Sequence, residues 1–246
     1  MAPPRATGRQ RPPELSDNAT VAGQKRAAAR AAADMVEDGM RLGLGTGSTA
    51  AYLIEALGER RGELRRLRCA ATSPATAEAA RALGLAVHSL DELVELDLAI
   101  DGADQIDPAG WLVKGRGGAL TREKIAASAA RSFVVIASAE KSVEQLSPPV
   151  PVELMRFGLH STLRALSTVA VRDAPPSPDG GVIADYLGSV SDPPALASRL
   201  SEFPGIVEHG LFAPELVSVI LIAREEGVER RTGGKESPDD EGPPGG

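Results

Sequence analysis

From Arg41 to Ala137 this 246-residue chain alternates short apolar runs with longer helical stretches, and that alternation leaves few folds open. Strand-like runs fall at Arg41–Gly45, Leu67–Thr72, Ala86–Ser89, Leu96–Ile100 and Phe133–Ala137. Helices fit between them at Thr49–Arg60, Ala75–Leu83 and Ala119–Arg131. Ser16-Asp17-Asn18 is placed to cap a first helix over Ala19–Glu37, with Gly39 as its stop. Strands separated by single helices and short connections predict βαβ units and a parallel sheet.

The texture changes at Ser147, where Pro148, Pro149 and Pro151 mark a stiff boundary. Beyond it the pattern reads strand (Val152–Met155), helix (Gly158–Val171), strand (Val182–Tyr186), helix (Pro194–Phe203) and strand (Ile206–Phe212). The apolar run Leu216–Ala223 then rejoins the first sheet. The expectation is an α/β chain with a parallel-sheet main domain at 16–146 plus 213–228 and a small α+β domain at 147–212. Residues 1–15 and 229–246 are rich in Pro, Gly and charge without apolar periodicity, and are expected to be disordered tails.

Bulk properties narrow the function classes. A net charge of −7 argues against nucleic acid as a partner. Aromatics are only 3% of residues, so Ala, Val, Ile and Leu must fill the interior. The single cysteine, Cys69, lies in an apolar run and reads as a buried small hydrophobe in a reducing, cytoplasmic setting. No apolar run approaches the roughly 18 residues that a membrane helix needs, and Met1–Arg11 has no apolar signal core. No membrane partner is expected.

Chemistry concentrates at Asp101-Gly102-Ala103-Asp104, Lys114-Gly115-Arg116-Gly117-Gly118 and Glu123. Asp101 and Asp104 follow an apolar strand, and in an open parallel sheet ligands bind at strand carboxyl ends. Two carboxylates beside a lysine suit hydroxyl binding and proton transfer, although Asp and Gly also build plain turns. The amides of Gly115–Gly118 can form an anion-binding concavity. Glu123 falls at a helix start, where a glutamate is equally at home as a solvated, dipole-friendly charge. Gly43-Leu44-Gly45-Thr46-Gly47-Ser48-Thr49 reads as strand, turn and helix start, a suitable cradle for phosphate. The same pattern opens dinucleotide sites and tight turns. His88, His160 and His209 are scattered without metal-ligand spacing.

Gly-Leu-Gly-Thr-Gly-Ser-Thr-Ala at 43–50, Asp-Gly-Ala-Asp at 101–104 and Lys-Gly-Arg-Gly-Gly-Ala-Leu-Thr-Arg-Glu-Lys at 114–124 together resemble type A ribose-5-phosphate isomerase. Weaker matches include Ala137–Lys141, Pro151–Leu154, Pro204–Val207 and Gly210–Phe212, so the resemblance spans roughly residues 19 to 225. It implies a Rossmann-like main domain and a smaller ferredoxin-like domain that shapes the cleft and the contacts of a homodimer or dimer of dimers. It implies interconversion of D-ribose 5-phosphate and D-ribulose 5-phosphate through a cis-enediolate, in the non-oxidative pentose phosphate pathway, with no cofactor and no metal.

The resemblance also assigns roles. Glu123 is the proton acceptor, Asp101 carries the proton between O1 and O2 or assists ring opening, and Lys114 stabilises the enediolate. Asp104 contacts hydroxyls or orients Lys114. Thr46, Gly47, Ser48 and Thr49 form the substrate loop, with Gly102, Ala103, Gly115, Arg116 and Gly117 adding contacts. Lys141 binds the sugar phosphate, and Lys25 is a further phosphate candidate. Arg122 and Lys124 are expected to be exposed. The sequence departs from the family at Arg116, where a small residue is common, at Gln105 and Asp107, and at the short, proline-rich stretch 172–180.

Two rival readings carry less. A dinucleotide-dependent oxidoreductase would want an acid at the end of the second strand, and Cys69-Ala70-Ala71-Thr72-Ser73 has none. A non-catalytic sugar-phosphate sensor coupled to a DNA-binding module would need a basic helix-turn-helix, and residues 1–40 offer one alanine-rich helix.

Overall fold

The computed structural model describes residues 13–235, with side-chain surroundings from residue 21 onward. A seven-stranded sheet forms its centre, built from β1 (Arg41–Leu44), β2 (Arg68–Ala71), β3 (Ala86–His88), β4 (Leu96–Gly102), β7 (Ala130–Ser138), β13 (Val219–Arg224) and β14 (Gly227–Thr232). Their order is β14-β13-β7-β4-β1-β2-β3, all parallel except for β14. Helices α1 (Pro13–Ala33), α2 (Ser48–Glu59), α3 (Pro74–Ala82), α4 (Leu90–Leu93) and α5 (Leu120–Ala129) connect the strands.

Alternation along the strands feeds two cores. Leu42, Leu44, Leu98, Ile100, Val134 and Ile136 pack against Ala28, Ala29, Ala32, Leu53 and Leu57 of α1 and α2. Ala99, Phe133, Val135 and Ala137 face the other way, toward Ala126 and Ala127 of α5. Small alanines let α1 and α2 lie close to the sheet, which suits a chain with so few aromatics. The strand order reverses direction between β1 and β4. At such a switch point the flanking connections leave on opposite faces and open a crevice above the strand ends.

A second, antiparallel sheet comprises β8 (Val150–Leu154), β9 (Val169–Val171), β10 (Val182–Tyr186) and β11 (Ile206–His209), in the order β11-β8-β10-β9. With α6 (Leu159–Leu166) and α7 (Pro193–Ser201) it forms a βαββαβ unit around Val152, Leu154, Ala184, Leu196 and Leu200. A small three-stranded sheet, β12-β6-β5, joins β5 (Gln105–Ile106) and β6 (Leu112–Val113) to β12 (Leu211–Phe212).

Several elements differ from the sequence expectation. The first helix begins at Pro13, so Ser16-Asp17-Asn18 lie inside it rather than capping it. Proline is tolerated at a first helical position because its missing N–H would have no intrahelical partner there. The helix expected over Gly158–Val171 ends at Leu166. Ser167 takes a left-handed conformation (φ 48°), and the β-branched Val169 and Val171 then form β9 against β10. The run Ile206–Phe212 divides at Gly210, with β12 leaving the four-stranded sheet to pair with β6. Residues 229–232, expected in a tail, lie in β14, whose polar pattern hides an edge strand. Arg224 and Arg231 both pair with Glu229 at 2.6 Å along that edge, and charge of this kind protects an exposed strand from further pairing. Residues 1–12 and 236–246 of the expected tails lie outside the described residues.

Candidate active site

The crevice above β1 and β4 begins with a close backbone approach. A side chain at Gly45 would place its Cβ 2.0 Å from Asp101 Oδ1, so only glycine fits. The chain then turns through Gly47 (φ 116°) into α2, whose start has no side-chain cap. Uncapped first-turn amides and the positive helix end are available to an anion. The turn is fastened from β2 and α3. Thr46 and Thr72 hydroxyls are 2.7 Å apart, and Thr76 Oγ1 donates to the Gly45 carbonyl at 3.0 Å. Lys25 of α1 donates to Ser48 Oγ at 3.0 Å, which brings a cation to the same end of α2.

Below this turn sits a buried triad of charges. Lys114, at the end of β6, donates to Asp101 Oδ2 at 2.7 Å and to the Gly102 carbonyl, and lies 3.3 Å from Glu123 Oε2. All three side chains are at most 4% exposed. Asp101 Oδ1 also accepts the Thr46 and Gly102 amides at 3.1 and 2.7 Å. Glu123 Oε2, by contrast, has no hydrogen-bond partner among the described residues.

Burial pushes the Glu123 carboxyl up to about 8, against the pull of Lys114 and with the push of Asp101. Burial raises Asp101 as well, opposed by Lys114 and the two amides. Asp101 accepts from three donors, whereas Glu123 has only the charge of Lys114 at 3.3 Å beside it, so a proton held by the pair resides on Glu123. Burial alone would lower the Lys114 ammonium, but Asp101 and Glu123 outweigh it and hold it above its usual value. The cluster is one buried cation between two carboxylates that burial pushes toward protonation, a composition suited to proton exchange near neutral pH.

A cleft of about 290 Å³ opens over this cluster. Thr46, Gly47, Ser48 and Thr49 form one wall, and Gly115, Arg116 and Gly117 another. Gly102, Ala103, Asp104, Lys114 and Glu123 form the floor, while Lys25 and Lys141 stand at the side. Asp104 Oδ2 accepts the Arg116 amide at 3.1 Å, whereas the Arg116 side chain is 76% exposed with its Nε 3.7 Å from Asp104. A second cavity of about 670 Å³, near Ser73, His88 and Arg122, is larger but contains neither Lys114 nor the carboxylates around it. Among the described residues no three His, Cys, Asp or Glu side chains gather in a set that could hold a metal ion. No described helix is long and apolar enough to cross a membrane.

Two expectations change. Asp101 does not line the cleft, because its oxygens are spent on Lys114 and two backbone amides behind it. Lys124 is half-buried rather than exposed. Its ammonium donates to Glu208 Oε1 and the His209 carbonyl, both at 2.7 Å, and stands 4.9 Å from the Phe212 ring centroid. Phe212 also lies 5.3 Å from the Lys114 ammonium, a contact no local pattern announces.

Comparison with known proteins agrees with this architecture. The sequence model of ribose 5-phosphate isomerase A (phosphoriboisomerase A) matches residues 68–227. Ribose-5-phosphate isomerase A of Methylorubrum extorquens is 47% identical over 218 residues, covering 82% of this chain and 92% of the relative. The protein of that name from Roseiflexus castenholzii is 43% identical, over 83% and 93% of the two chains. Among solved structures, ribose 5-phosphate isomerase A of Methanocaldococcus jannaschii superposes with a TM-score of 0.80 at 33% identity, over 85% of this chain and 98% of that one. A D-ribose-5-phosphate isomerase in complex with phospho-erythronic acid superposes with a TM-score of 0.81 at 35% identity, over 86% and 99%. With the charged cluster at the switch point of the sheet and relatives alike over nearly their whole length, this chain belongs to the ribose 5-phosphate isomerase A family.

Proposed function

We propose that this chain interconverts D-ribose 5-phosphate and D-ribulose 5-phosphate through a cis-enediolate, a step of the non-oxidative pentose phosphate pathway. The observation that carries the reading is a buried lysine between two buried carboxylates, one fully engaged and one open to the cleft. In the open-chain aldose, ionised Glu123 removes the C2 proton, and the electron pair flows toward the carbonyl oxygen O1. Lys114 meets the negative charge that develops there, in a site dry enough for a fixed cation to contribute several kcal/mol. Glu123 then returns the proton to C1, giving the ketose.

The proposed roles of the aspartates follow from their surroundings. Asp101 acts through Lys114, holding its ammonium in place, whereas Asp104 lines the cleft and is the carboxylate that meets substrate hydroxyls and carries a proton between O1 and O2. The phosphate is assigned to the Thr46–Thr49 turn and the start of α2, with Lys25 and Lys141 beside it. We place the enzyme in the cytoplasm as a homodimer or dimer of dimers. Phe157, 91% exposed, and its neighbour Met155 offer apolar surface for such contact, and light scattering showing only monomers would rule that out.

The test is an absorbance assay of purified protein with ribose 5-phosphate, in EDTA and without nucleotide. Ketose formation under those conditions is expected. No turnover, or activity that disappears with chelator and returns with a divalent ion, would refute the proposal.

A further inference from the structure

The Gly115–Gly117 wall of the cleft is held from outside by a residue of the four-stranded unit. Arg172 follows β9 and is 19% exposed. Its guanidinium is anchored bidentately on Asp185 of β10, with Nε and Nη2 donating at 2.7 and 2.6 Å. The remaining nitrogen, Nη1, donates to the carbonyls of Gly115 and Arg116, at 3.3 and 3.0 Å. Its own amide is tied to the Ile183 carbonyl at 3.0 Å, so the base of the side chain is fixed as well.

A planar trans peptide points its N–H opposite to its C=O. A cation that holds the Gly115 and Arg116 carbonyls therefore leaves the following two amides, those of Arg116 and Gly117, pointing away from its guanidinium. The first of these reaches Asp104 Oδ2, at 3.1 Å. The second belongs to a residue that lines the cleft. The fork geometry of arginine permits this double duty, since three nitrogens in one plane serve a carboxylate and two carbonyls at once.

We infer that Arg172 is a positioning residue for substrate binding: with Asp185, it sets the Gly115–Gly117 loop so that its amides and Asp104 face the sugar phosphate. This makes the four-stranded unit a working part of the cleft, through a residue in the stretch where the sequence departs from its family. The inference rests on the isomerase reading above.

The experiment compares wild type with Arg172→Met, Arg172→Lys and Asp185→Asn by steady-state kinetics with ribose 5-phosphate and by inhibition with phospho-erythronic acid. Arg172→Met is expected to raise KM by about 10-fold, the effect of losing one charge-assisted hydrogen bond. kcat should fall by less than about 3-fold, and the inhibitor constant should rise in parallel with KM. Arg172→Lys, a single point cation, should recover part of the loss, and Asp185→Asn should reproduce part of it without removing the guanidinium. Wild-type inactivity would sink the isomerase reading itself. An active wild type with KM and inhibitor binding unchanged in folded Arg172→Met, or a loss confined to kcat, would overturn this inference alone. If Arg172→Met does not fold, Asp185→Asn decides by the same KM criterion.

Discussion

Replacing Glu123 with glutamine separates the catalytic role proposed for this residue from what its ionisation costs the fold. Burial lifts the carboxyl from its ordinary 4.5 to about 8. The unfolded chain releases this proton near 4.5, whereas the folded site keeps it until about 8. Between those values the folded protein binds more protons than the unfolded one, so stability falls as pH rises. At about 1.4 kcal/mol per pH unit, the ionisable glutamate costs the fold about 3 kcal/mol at pH 7. Glutamine keeps the size of the side chain, carries no charge and leaves Lys114 its bonds to Asp101 and the Gly102 carbonyl.

Glu123→Gln should therefore be more stable than wild type by up to about 3 kcal/mol at pH 7. The gain should be absent below pH 4.5 and level off above pH 8. Turnover should fall at least about 100-fold, the usual share of a general base. Exchange of the C2 hydrogen with solvent deuterium should vanish, while phospho-erythronic acid binds within a few-fold of wild type or more tightly. The assay is urea denaturation across pH 4.5 to 8 beside kinetics and deuterium exchange. A variant no more stable than wild type at pH 8 would refute the electrostatic argument. Near-normal exchange in Glu123→Gln would show that Glu123 is not the base that takes the C2 proton.

Other perturbations test the surrounding parts. Lys114→Met should lower kcat at least about 100-fold and destabilise the protein by about 3–5 kcal/mol, because Asp101 is left buried without its cation; adding Asp101→Asn should restore stability, measured by denaturation, without restoring activity. Gly45→Ala would force a methyl group to within 2.0 Å of Asp101 Oδ1, so a loss of about 1–3 kcal/mol in denaturation is expected with a matching drop in activity, and an unperturbed variant would show that the turn is not as tight as described. Ser48→Ala should raise KM more than it lowers kcat, the pattern of lost uniform binding, whereas a large kcat loss at constant KM would place this turn in the chemistry itself.

Much of this protein was legible in its linear order. The strand-and-helix alternation identified β1 to β4, β7 and helices α2, α3 and α5, because a buried parallel strand must be an apolar run, whereas the single-turn helix α4 is too short to show a period. The clustering of Asp101, Asp104, Lys114 and Glu123 within one stretch marked the candidate site, and Gly45 and Gly47 marked the turn over it. Those signals are local, and local propensity writes them directly into neighbouring residues. Polar β14 escaped notice because its partner β13 supplies the ladder, and β9 because Ser167 ends the helix early through a left-handed turn.

What tertiary structure alone decided is which polar groups satisfy one another. Asp101 meets the Thr46 amide across 55 positions, and Arg172 reaches the Arg116 carbonyl across 56. Those pairings withdraw Asp101 from the cleft, tie the Gly115–Arg116 backbone to the four-stranded unit and leave Glu123 short of donors. Burial and hydrogen bonding are properties of the assembled surroundings, so carboxylates that look alike along the chain acquire different protonation and different work once the sheet, its helices and the four-stranded unit close around them.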